Sequence, residues 1–400
     1  MEALLSGGRI LDLTNVLSGP FCAYQLALLG AEVIKVEVPQ GGDLARQLGA
    51  DPTLSRDLMG ASFIAQNAGK SSITLNLKAP RGREVFEKLV LTADVVIENF
   101  RPGVMERLGL GQAVLRTLNP RLIYCAISGF GQTGPMRDAP AYDQIIQGLS
   151  GTMSVTGHRS SGPLRVGFPI ADTIGGLTAA FAISSALMRR ERTGGGAFID
   201  VSMLDSTLAT MGWIVSNYLL CGVAPVPMGN DNFTAAPSGA FQTADSLLNI
   251  AANKQEQFVT LCGLIDRPDL AMDERFAERE ARKRNRAALN AEIEAGLATR
   301  TALDWESLLN AAGVPAGRVL SVDQTLDLDQ IKSRALVRAI GQAEGLDRDL
   351  FVTGPGFAVD GEPVPSPSPP PRLGQQTQTV LQSLGYSDAE IAVLRSEGAL

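Results

Sequence analysis

The stretch VGFPIADTIGGL, residues 166–177, places one carboxylate, that of Asp172, among uncharged and mostly apolar neighbours. Removing an isolated ionised carboxylate from water is costly, so an aspartate in such a run needs an explanation. Asp172 could cap a helix that begins at Thr173, because aspartate is a favoured N-cap. It could also be a nucleophile toward an activated acyl group in a dry pocket. The two roles are compatible, since a helix N-terminus lowers the pKa of a nearby carboxyl and keeps it ionised.

Two further stretches carry polar groups that could serve a ligand. The segment GFGQTGPMRDAPAYDQIIQGLSG, residues 129–151, sets Tyr142 and Asp143 side by side at a predicted helix start. Asp143 fits an ordinary acid of a first helical turn equally well. The segment MGNDNFTAAPSG, residues 228–239, could be a mobile lid whose backbone N–H groups face an anion. It could also be a plain loop between domains, which the residues alone favour.

Other kinds of catalytic group are scarce in this chain. His158 is the only histidine and lies in a Gly/Ser/Pro loop, so a Ser-His or Cys-His pair would depend on that one residue. The four cysteines have no metal-ligand spacing, which predicts reduced thiols and no zinc site. No G-x-G-x-x-G follows the first predicted strand, and Ile64 stands where a P-loop would need glycine. Acid–base or nucleophilic work is therefore left to carboxylates.

Composition limits the partners of the chain. Its 400 residues are 45% hydrophobic and 19% charged, which is typical of a soluble globular protein with room for two domains. A net charge of −7 gives no general attraction to nucleic acid or to an anionic membrane. The N-terminus lacks the pattern of a signal peptide, and the apolar run 174–188 is shorter than a membrane span and reads as a buried helix. We expect a cytoplasmic protein without nucleic-acid or membrane partners.

The predicted elements alternate between strands and helices. RILDLT, AEVIKVEVP, DVVIENF and NPRLIYCAISGF have the β-branched pattern of strands, and apolar helices such as SGPFCAYQLALLGA lie between them. This alternation predicts an α/β protein with a doubly wound, Rossmann-like parallel sheet. The segment 204–222 is apolar all round and predicts a buried helical connector.

Changes in amino-acid composition along the chain suggest its domain organisation. The predicted segments are a large domain over 1–200, a linker over 201–224, a small α/β domain over 225–325, a return linker over 326–372 and a C-terminal segment over 373–400 that packs on the large domain.

Several motifs occur in a fixed order along the chain. They include RILDLTNVLSGP, ADVVIENFRPGVMERLG, AYDQIIQGLSG, VGFPIADTIGGL and the terminal LGYSDAEI. Together they resemble the family III CoA-transferases, the group of formyl-CoA:oxalate and carnitine CoA-transferases that also includes α-methylacyl-CoA racemases. The match is densest over residues 8–210. The resemblance implies a homodimer of two interlocked, ring-like chains, with coenzyme A as a cosubstrate and no permanently bound cofactor or metal.

The resemblance also implies a mechanism and a set of site residues. Asp172 falls on the family's nucleophile, which attacks an acyl-CoA thioester to give a mixed anhydride; the released thiolate then forms an aspartyl-CoA thioester. An incoming carboxylate reverses these steps, and water must be excluded. Tyr142 and Asp143 would line the acyl pocket. The residues that would contact CoA are Val16, Ser18, Asn99, Phe100 and Arg107.

The chain departs from the formyl-CoA enzyme at positions that bear on specificity. Asn15, Leu17 and Leu48 stand where that enzyme has His, Gln and Trp, and Val38 or Pro39 replaces its adenine-stacking basic residue. We favour a small C4–C5 dicarboxylate as acceptor, with succinyl-CoA as one candidate donor. The candidates for binding the distal carboxylate are Arg46, Arg165, Asn230 and Asn232.

Two alternatives remain open. In the racemase branch a histidine stands at the position of Tyr142, and tyrosine is a poor base at neutral pH because its reference pKa is about 10. The residues therefore favour a transferase over an α-methylacyl-CoA racemase. A non-catalytic acyl-CoA-binding protein is the second alternative, which the presence of Asp172 disfavours.

Overall fold

The computed structural model describes residues 3–400 and contains a parallel six-stranded sheet. The strand order is β3-β2-β1-β4-β5-β6, and every neighbouring pair is parallel. The sheet is therefore doubly wound, as the sequence predicts, and its strand order places the switch point between β1 and β4. Strands covered on both faces read as continuous apolar runs, as in β5, where every residue is buried.

The bounds of the elements are as follows. The strands are β1 Arg9–Asp12, β2 Glu32–Glu37, β3 Lys70–Thr74, β4 Val95–Glu98, β5 Ile123–Ser128, β6 Ala197–Ser202, β7 Ser238–Gln242, β8 Leu247–Ala251, β9 Ala316–Arg318, β10 Val337–Gly341, β11 Leu350–Thr353, β12 Ala358–Val359 and β13 Glu362–Pro363. The α-helices are α1 Ser18–Leu28, α2 Pro52–Arg56, α3 Ala61–Asn67, α4 Pro80–Leu91, α5 Val104–Arg107, α6 Gln112–Leu118, α7 Asp143–Leu149, α8 Thr152–Val155, α9 Ile170–Thr193, α10 Met203–Thr210, α11 Gly212–Cys221, α12 Gln255–Leu264, α13 Arg279–Arg284, α14 Arg286–Leu297, α15 Ala302–Ala311, α16 Val322–Leu326, α17 Asp329–Ser333, α18 Thr377–Ser383 and α19 Asp388–Ser396. Short 3₁₀ turns lie at Leu44–Gln47 and Pro268–Ala271.

The chain divides into two compact units. The larger unit comprises the chain through Thr152 together with Arg165–Val223 and Asp329–Leu400; the smaller unit comprises Met153–Leu164 and Ala224–Leu328. The sequence did not predict that 153–164 belongs with the smaller unit. A backbone hydrogen bond of 2.7 Å, from Gly229 N to Gly157 O, connects this segment to the rest of the smaller unit. Such long-range pairing leaves no local sequence pattern.

Both faces of the large sheet are covered by apolar packing. On one face, α4, α6, α18 and α19 contribute to a core that includes Phe86, Leu115, Leu381 and Leu394. On the other face, α1, α7 and α9 pack around the apolar side chains of β4 and β5. The C-terminal helices thus complete one side of the large unit.

The smaller unit has a core of its own. Its antiparallel sheet has the order β7-β8-β9, and helices α12, α14 and α15 pack on it around Phe258, Phe276 and Trp305, all of which are buried.

Two predictions about helices need correction. The segment 204–222 is helical, as α10 and α11, but α11 buries none of its residues within this chain, and Leu220 is 84% exposed. Helix α9 buries only one face: Ile183 is in the core, whereas Phe181 is 75% exposed. By length and composition α9 could also cross a membrane, a test that core helices of soluble proteins pass as well.

Candidate active site

A cavity of about 250 Å³ lies beside the switch point, at the carboxyl ends of β1 and β4. Open parallel sheets bind ligands at this place because the loops after adjacent strands diverge there. The lining residues that carry polar side chains are Asn15, Ser18, Asn99, Arg101, Ser128, Arg137, Tyr142 and Asp172. The remaining lining is largely apolar and includes Val16, Leu17, Phe100 and Met203. The structure therefore brings four of the five predicted CoA contacts together with Asp172 and Tyr142.

Asp172 lies in the first turn of α9 and does not cap it. The helix begins at Ile170, so the prediction of an N-cap before Thr173 is wrong. The capping residue, Pro169, makes no side-chain hydrogen bond. The Asp143 carboxylate supplies the cap from α7: its Oδ1 accepts hydrogen bonds from Ala171 N at 2.8 Å and from Asp172 N at 3.4 Å.

The pKa of Asp172 is raised in this arrangement, whereas a position at a helix N-terminus was expected to lower it. Burial and the negative charge of Asp143 raise that pKa from 3.8 to about 7, and a hydrogen bond from the Ser18 hydroxyl only partly opposes them. The N–H groups that should have lowered the pKa are bonded to Asp143 instead. A more basic carboxylate is a stronger nucleophile, so the ionised form of Asp172 is more reactive than that of an ordinary aspartate. Its surroundings also exclude water.

The contact between Ser18 and Asp172 depends on a close approach of two helices. Helices α1 and α9 pack together, and a Cβ atom on Gly176 would lie 2.5 Å from Ser18 O. Any larger residue would force the helices apart, so the second glycine of the IGG motif lets the start of α1 reach the first turn of α9.

Asp143 supports the site and does not line it. It is buried, with Gln147 Nε2 2.7 Å and the Arg165 guanidinium 3.8 Å from its Oδ2. Asp143 is not among the residues that line this cavity, because its carboxylate is turned toward the start of α9. Tyr142, the next residue, does line the cavity, and its side chain is 71% exposed.

Two of the predicted CoA contacts, Val16 and Asn99, are held in place by hydrogen bonds to residues of neighbouring loops. Val16 N donates to Asp43 Oδ1 at 2.9 Å, so this N–H is not free for a ligand. Asn99 accepts from Asn15 N and donates to Asn15 O, both at 2.8 Å. The bonds between Asn15 and Asn99 join the loop after β1 to the loop after β4, which form the two sides of the switch point.

The arginines that line the cavity are not the arginine that the resemblance implies as a CoA contact. Arg101 and Arg137 line the cavity, whereas Arg107 does not. The sequence signal for Arg101 was its position directly after Asn99 and Phe100. Nothing local marked Arg137, because it lies in a Gly/Pro-rich loop whose path depends on the whole unit.

Arg46 is a structural residue, and its prediction as a substrate ligand is wrong. Its guanidinium is fully buried and makes two bonds of 2.7 Å with the Glu37 carboxylate. It also lies 3.7 Å from the centre of the Phe63 ring. With its donors occupied in this way, it cannot face a ligand.

Asn230 and Asn232 line a second cavity, of about 560 Å³, in the smaller unit. Arginines from α13 and α14 donate hydrogen bonds to the backbone of the loop that carries these two residues. Arg286 donates to Asn232 O at 2.7 Å and to Ala235 O at 2.9 Å, and Arg279 donates to Thr234 O at 2.9 Å. Asn232 Oδ1 accepts from the backbone and hydroxyl of Thr234, both at 2.8 Å, which closes a local turn. This bonding fits a fixed loop better than a mobile lid.

Comparison with known proteins gives matches along nearly the whole chain. The model of CoA-transferase family III matches residues 5–377. The acetyl-CoA:oxalate CoA-transferase of Acetobacter aceti is 40% identical over 386 residues, which cover 96% of each chain. The succinate–glutarate CoA-transferase of Agrobacterium fabrum is 39% identical over 388 residues, 95% of each chain.

Solved structures show the same fold. A CAIB/BAIF family protein from Brucella suis superposes with a TM-score of 0.83 at 34% identity, covering 96% of this chain and 100% of that one. The Rv3272 protein of Mycobacterium tuberculosis also gives a TM-score of 0.83 at 34% identity, covering 94% of this chain and 99% of that one.

Proposed function

The chain belongs to the family III CoA-transferases, and from that premise we propose that it moves CoA from an acyl-CoA donor to a small dicarboxylate through covalent intermediates on Asp172. The observation that supports this most directly is the position of Asp172. Its carboxylate is largely withdrawn from water, with a pKa of about 7, in the cavity that the loops after β1 and β4 enclose.

The proposed reaction needs no other nucleophile. The Asp172 carboxylate attacks the thioester carbonyl, the C–S bond breaks, and CoA leaves as the thiolate. The thiolate then attacks the Asp172 carbonyl of the mixed anhydride, which releases the donor acid and forms an aspartyl-CoA thioester. An acceptor carboxylate repeats these steps in reverse. The apolar lining limits hydrolysis of the activated intermediates.

The proposed acceptors follow from the relatives and from the charge of the cavity. The names of the relatives specify oxalate, glutarate, mesaconate and D-citramalate. A second carboxylate would need a cation in the same cavity, and Arg101 and Arg137 lie in its wall. The nearest ion-pair partner of Arg137 is Asp138, at 3.9 Å, so its guanidinium is available to a ligand. We favour these two arginines over Arg46 and Asn230 for the distal carboxylate.

We expect a CoA-exchange assay to identify the acceptor. Acetyl-CoA or succinyl-CoA is offered against dicarboxylates and against monocarboxylates of equal carbon number, such as butyrate for succinate and valerate for glutarate. New acyl-CoA is followed by mass spectrometry. We expect kcat/KM for the best dicarboxylate to exceed that of its matched monocarboxylate by roughly 10²-fold, because the cation is otherwise left unpaired.

Other results of this assay would contradict the proposal. Equal rates for the matched acids would remove the dicarboxylate preference. Solvent deuterium entering the α-position of a 2-methylacyl-CoA without exchange would establish the racemase alternative. Binding of acyl-CoA with neither reaction would leave a non-catalytic binding protein.

We also propose that the protein is a homodimer. Two apolar faces of the larger unit lie open in the single chain, and large faces of this kind mark protein interfaces. Helix α9 exposes Leu177, Phe181 and Met188, and helix α11 exposes Trp213 and Leu220.

Light scattering should therefore give twice the chain mass for the wild type. We expect the double variant Phe181→Lys, Leu220→Lys to dissociate, because both side chains would meet an apolar partner surface. The control is Leu91→Lys, at a 56% exposed position on α4. A monomeric wild type, or a dimer that survives both lysines, would contradict the proposal.

A further inference from the structure

Four charged side chains are buried beneath the loop that follows β1. They are Asp12 at the end of β1, Lys35 in β2, Asp43 after β2 and Lys70 at the start of β3, and each is at most 4% exposed. Lys35 Nζ lies 2.9 Å from Asp43 Oδ2 and 3.8 Å from Asp12 Oδ2, and Lys70 Nζ lies 2.8 Å from Asp12 Oδ2. The two lysines therefore neutralise the two aspartates.

The same four side chains hold the backbone of the loop and of the helix after it. Lys35 Nζ donates to Thr14 O at 2.7 Å, and Lys70 Nζ donates to Pro20 O at 3.0 Å. Asp12 Oδ1 accepts from Thr14 N at 2.9 Å. Asp43 Oδ1 accepts from Val16 N at 2.9 Å, and also caps the turn that follows Asp43.

The hydrogen bonds of this cluster hold Val16 in a backbone conformation that valine does not favour. Its φ of 69° lies in the left-handed region, which a β-branched residue rarely adopts. The bond to Asp43 fixes its N–H in that conformation. Two residues later, Ser18 begins α1, and it lines the same cavity as Asp172, whose pKa its hydroxyl lowers.

The network does more than the stability of the fold requires. Buried ion pairs contribute little net stability compared with well-packed apolar residues, because desolvation offsets their attraction. What an apolar core could not supply is a set of acceptors and donors aimed at Thr14, Val16 and Pro20. The cluster therefore determines the path of the chain from β1 into α1.

We propose that Asp43 is a positioning residue for CoA transfer: it holds Val16 in the left-handed conformation and thereby places Ser18 against Asp172 and the loop against the cavity. Asp43 is not among the residues that line the cavity, so it acts through the loop. This inference rests on the proposed role of Asp172.

The test is a mutant cycle with Val16→Gly. Asp43→Ala should lower kcat/KM for CoA exchange by roughly 30- to 100-fold, since small displacements of reacting groups have effects of that size. We expect the loss in both KM for acyl-CoA and kcat. Glycine adopts positive φ without strain, so Val16→Gly in the Asp43→Ala background should restore activity by about tenfold. Asp43→Asn retains an acceptor for Val16 N and should lose much less.

The control for lost stability is Asp94→Ala. Asp94 pairs with Arg190 at 2.9 Å and accepts from Arg9 N at 2.7 Å, at the opposite, amino end of the strands. We expect it to lower the melting temperature without changing KM. Should Asp43→Ala not fold, Asp43→Ser replaces it, because serine keeps the cap but is too short to reach both Val16 and Lys35.

The outcomes separate this inference from the proposed function. A folded Asp43→Ala or Asp43→Ser enzyme with wild-type kcat and KM would overturn the inference, as would effects of Asp43 and Val16 that simply add without rescue. If the wild type shows no exchange with any acceptor, the proposed function itself has failed.

Discussion

Asp172→Asn is expected to lower kcat for CoA exchange by at least about 10³-fold, the largest effect of any single substitution in this chain. The amide keeps the size of the side chain and can still accept the Ser18 hydroxyl bond, but it cannot attack a thioester. Steady-state assays of donor consumption and product formation measure the loss. Intact-mass analysis gives a second reading: wild type mixed with acyl-CoA should gain the mass of CoA less water, and the variant should not.

The same substitution should stabilise the fold, which separates lost chemistry from lost structure. The folded-state pKa of Asp172, about 7, lies above its unfolded value near 3.8. Stability is therefore lost as pH rises between these values, because the folded protein must bury a charge that the unfolded chain leaves in water. Asp172→Asn should raise the free energy of unfolding by roughly 4 kcal/mol at pH 8 and leave it unchanged below about pH 4.

Denaturant unfolding at the two pH values measures this difference. An Asn variant that is inactive and also less stable at pH 8 would assign Asp172 a structural role. A variant with more than a tenth of wild-type kcat would exclude it as the nucleophile.

Asp143→Ala is expected to lower kcat by roughly 10²-fold and to move the acidic side of the pH profile to lower pH. Two causes act together. The first turn of α9 loses the acceptor of Ala171 N and Asp172 N, so the nucleophile is less well oriented. The carboxyl of Asp172 also loses the nearby negative charge that raises its pKa. In the wild type, kcat/KM should fall about tenfold per unit below pH 7, because only the ionised carboxylate attacks.

Asp143→Asn is the matched variant that separates the two causes. Its amide oxygen can still cap α9, so most of kcat should remain at pH 8, while the acidic limb still shifts downward. The charged group that faces Asp143 is Arg165, 3.8 Å away, and Gln147 donates to it from within α7. An acidic limb that stays in place in both variants would show that Asp143 does not influence the ionisation of Asp172.

Much of the fold could be predicted because its signals are local. Strand and helix periodicities, together with the right-handed βαβ rule, lead from the segments around β1–β5 to a doubly wound parallel sheet. The isolated charge of Asp172 also stood out, since its neighbours are adjacent in sequence and their polarity can be read directly.

Most of the errors concern contacts that no local sequence pattern records. Arg46 was predicted to be free for a ligand, but its guanidinium pairs with Glu37. Asp143 was predicted to line the pocket, but it caps a helix that begins 27 positions later. Helix α11 was expected to be buried because it is apolar, but its composition does not say whether this chain or another covers it.

The sequence by itself determined the α/β class, the order of the elements and the one carboxylate suited to acyl transfer. The tertiary structure decided which groups surround that carboxylate. Asp143 comes from α7, Ser18 from α1 and the arginines of the cavity from two separate loops. The physical reason is that a pKa or a pocket depends on charges and burial within a few ångströms in space, whereas sequence patterns report only on neighbours along the chain.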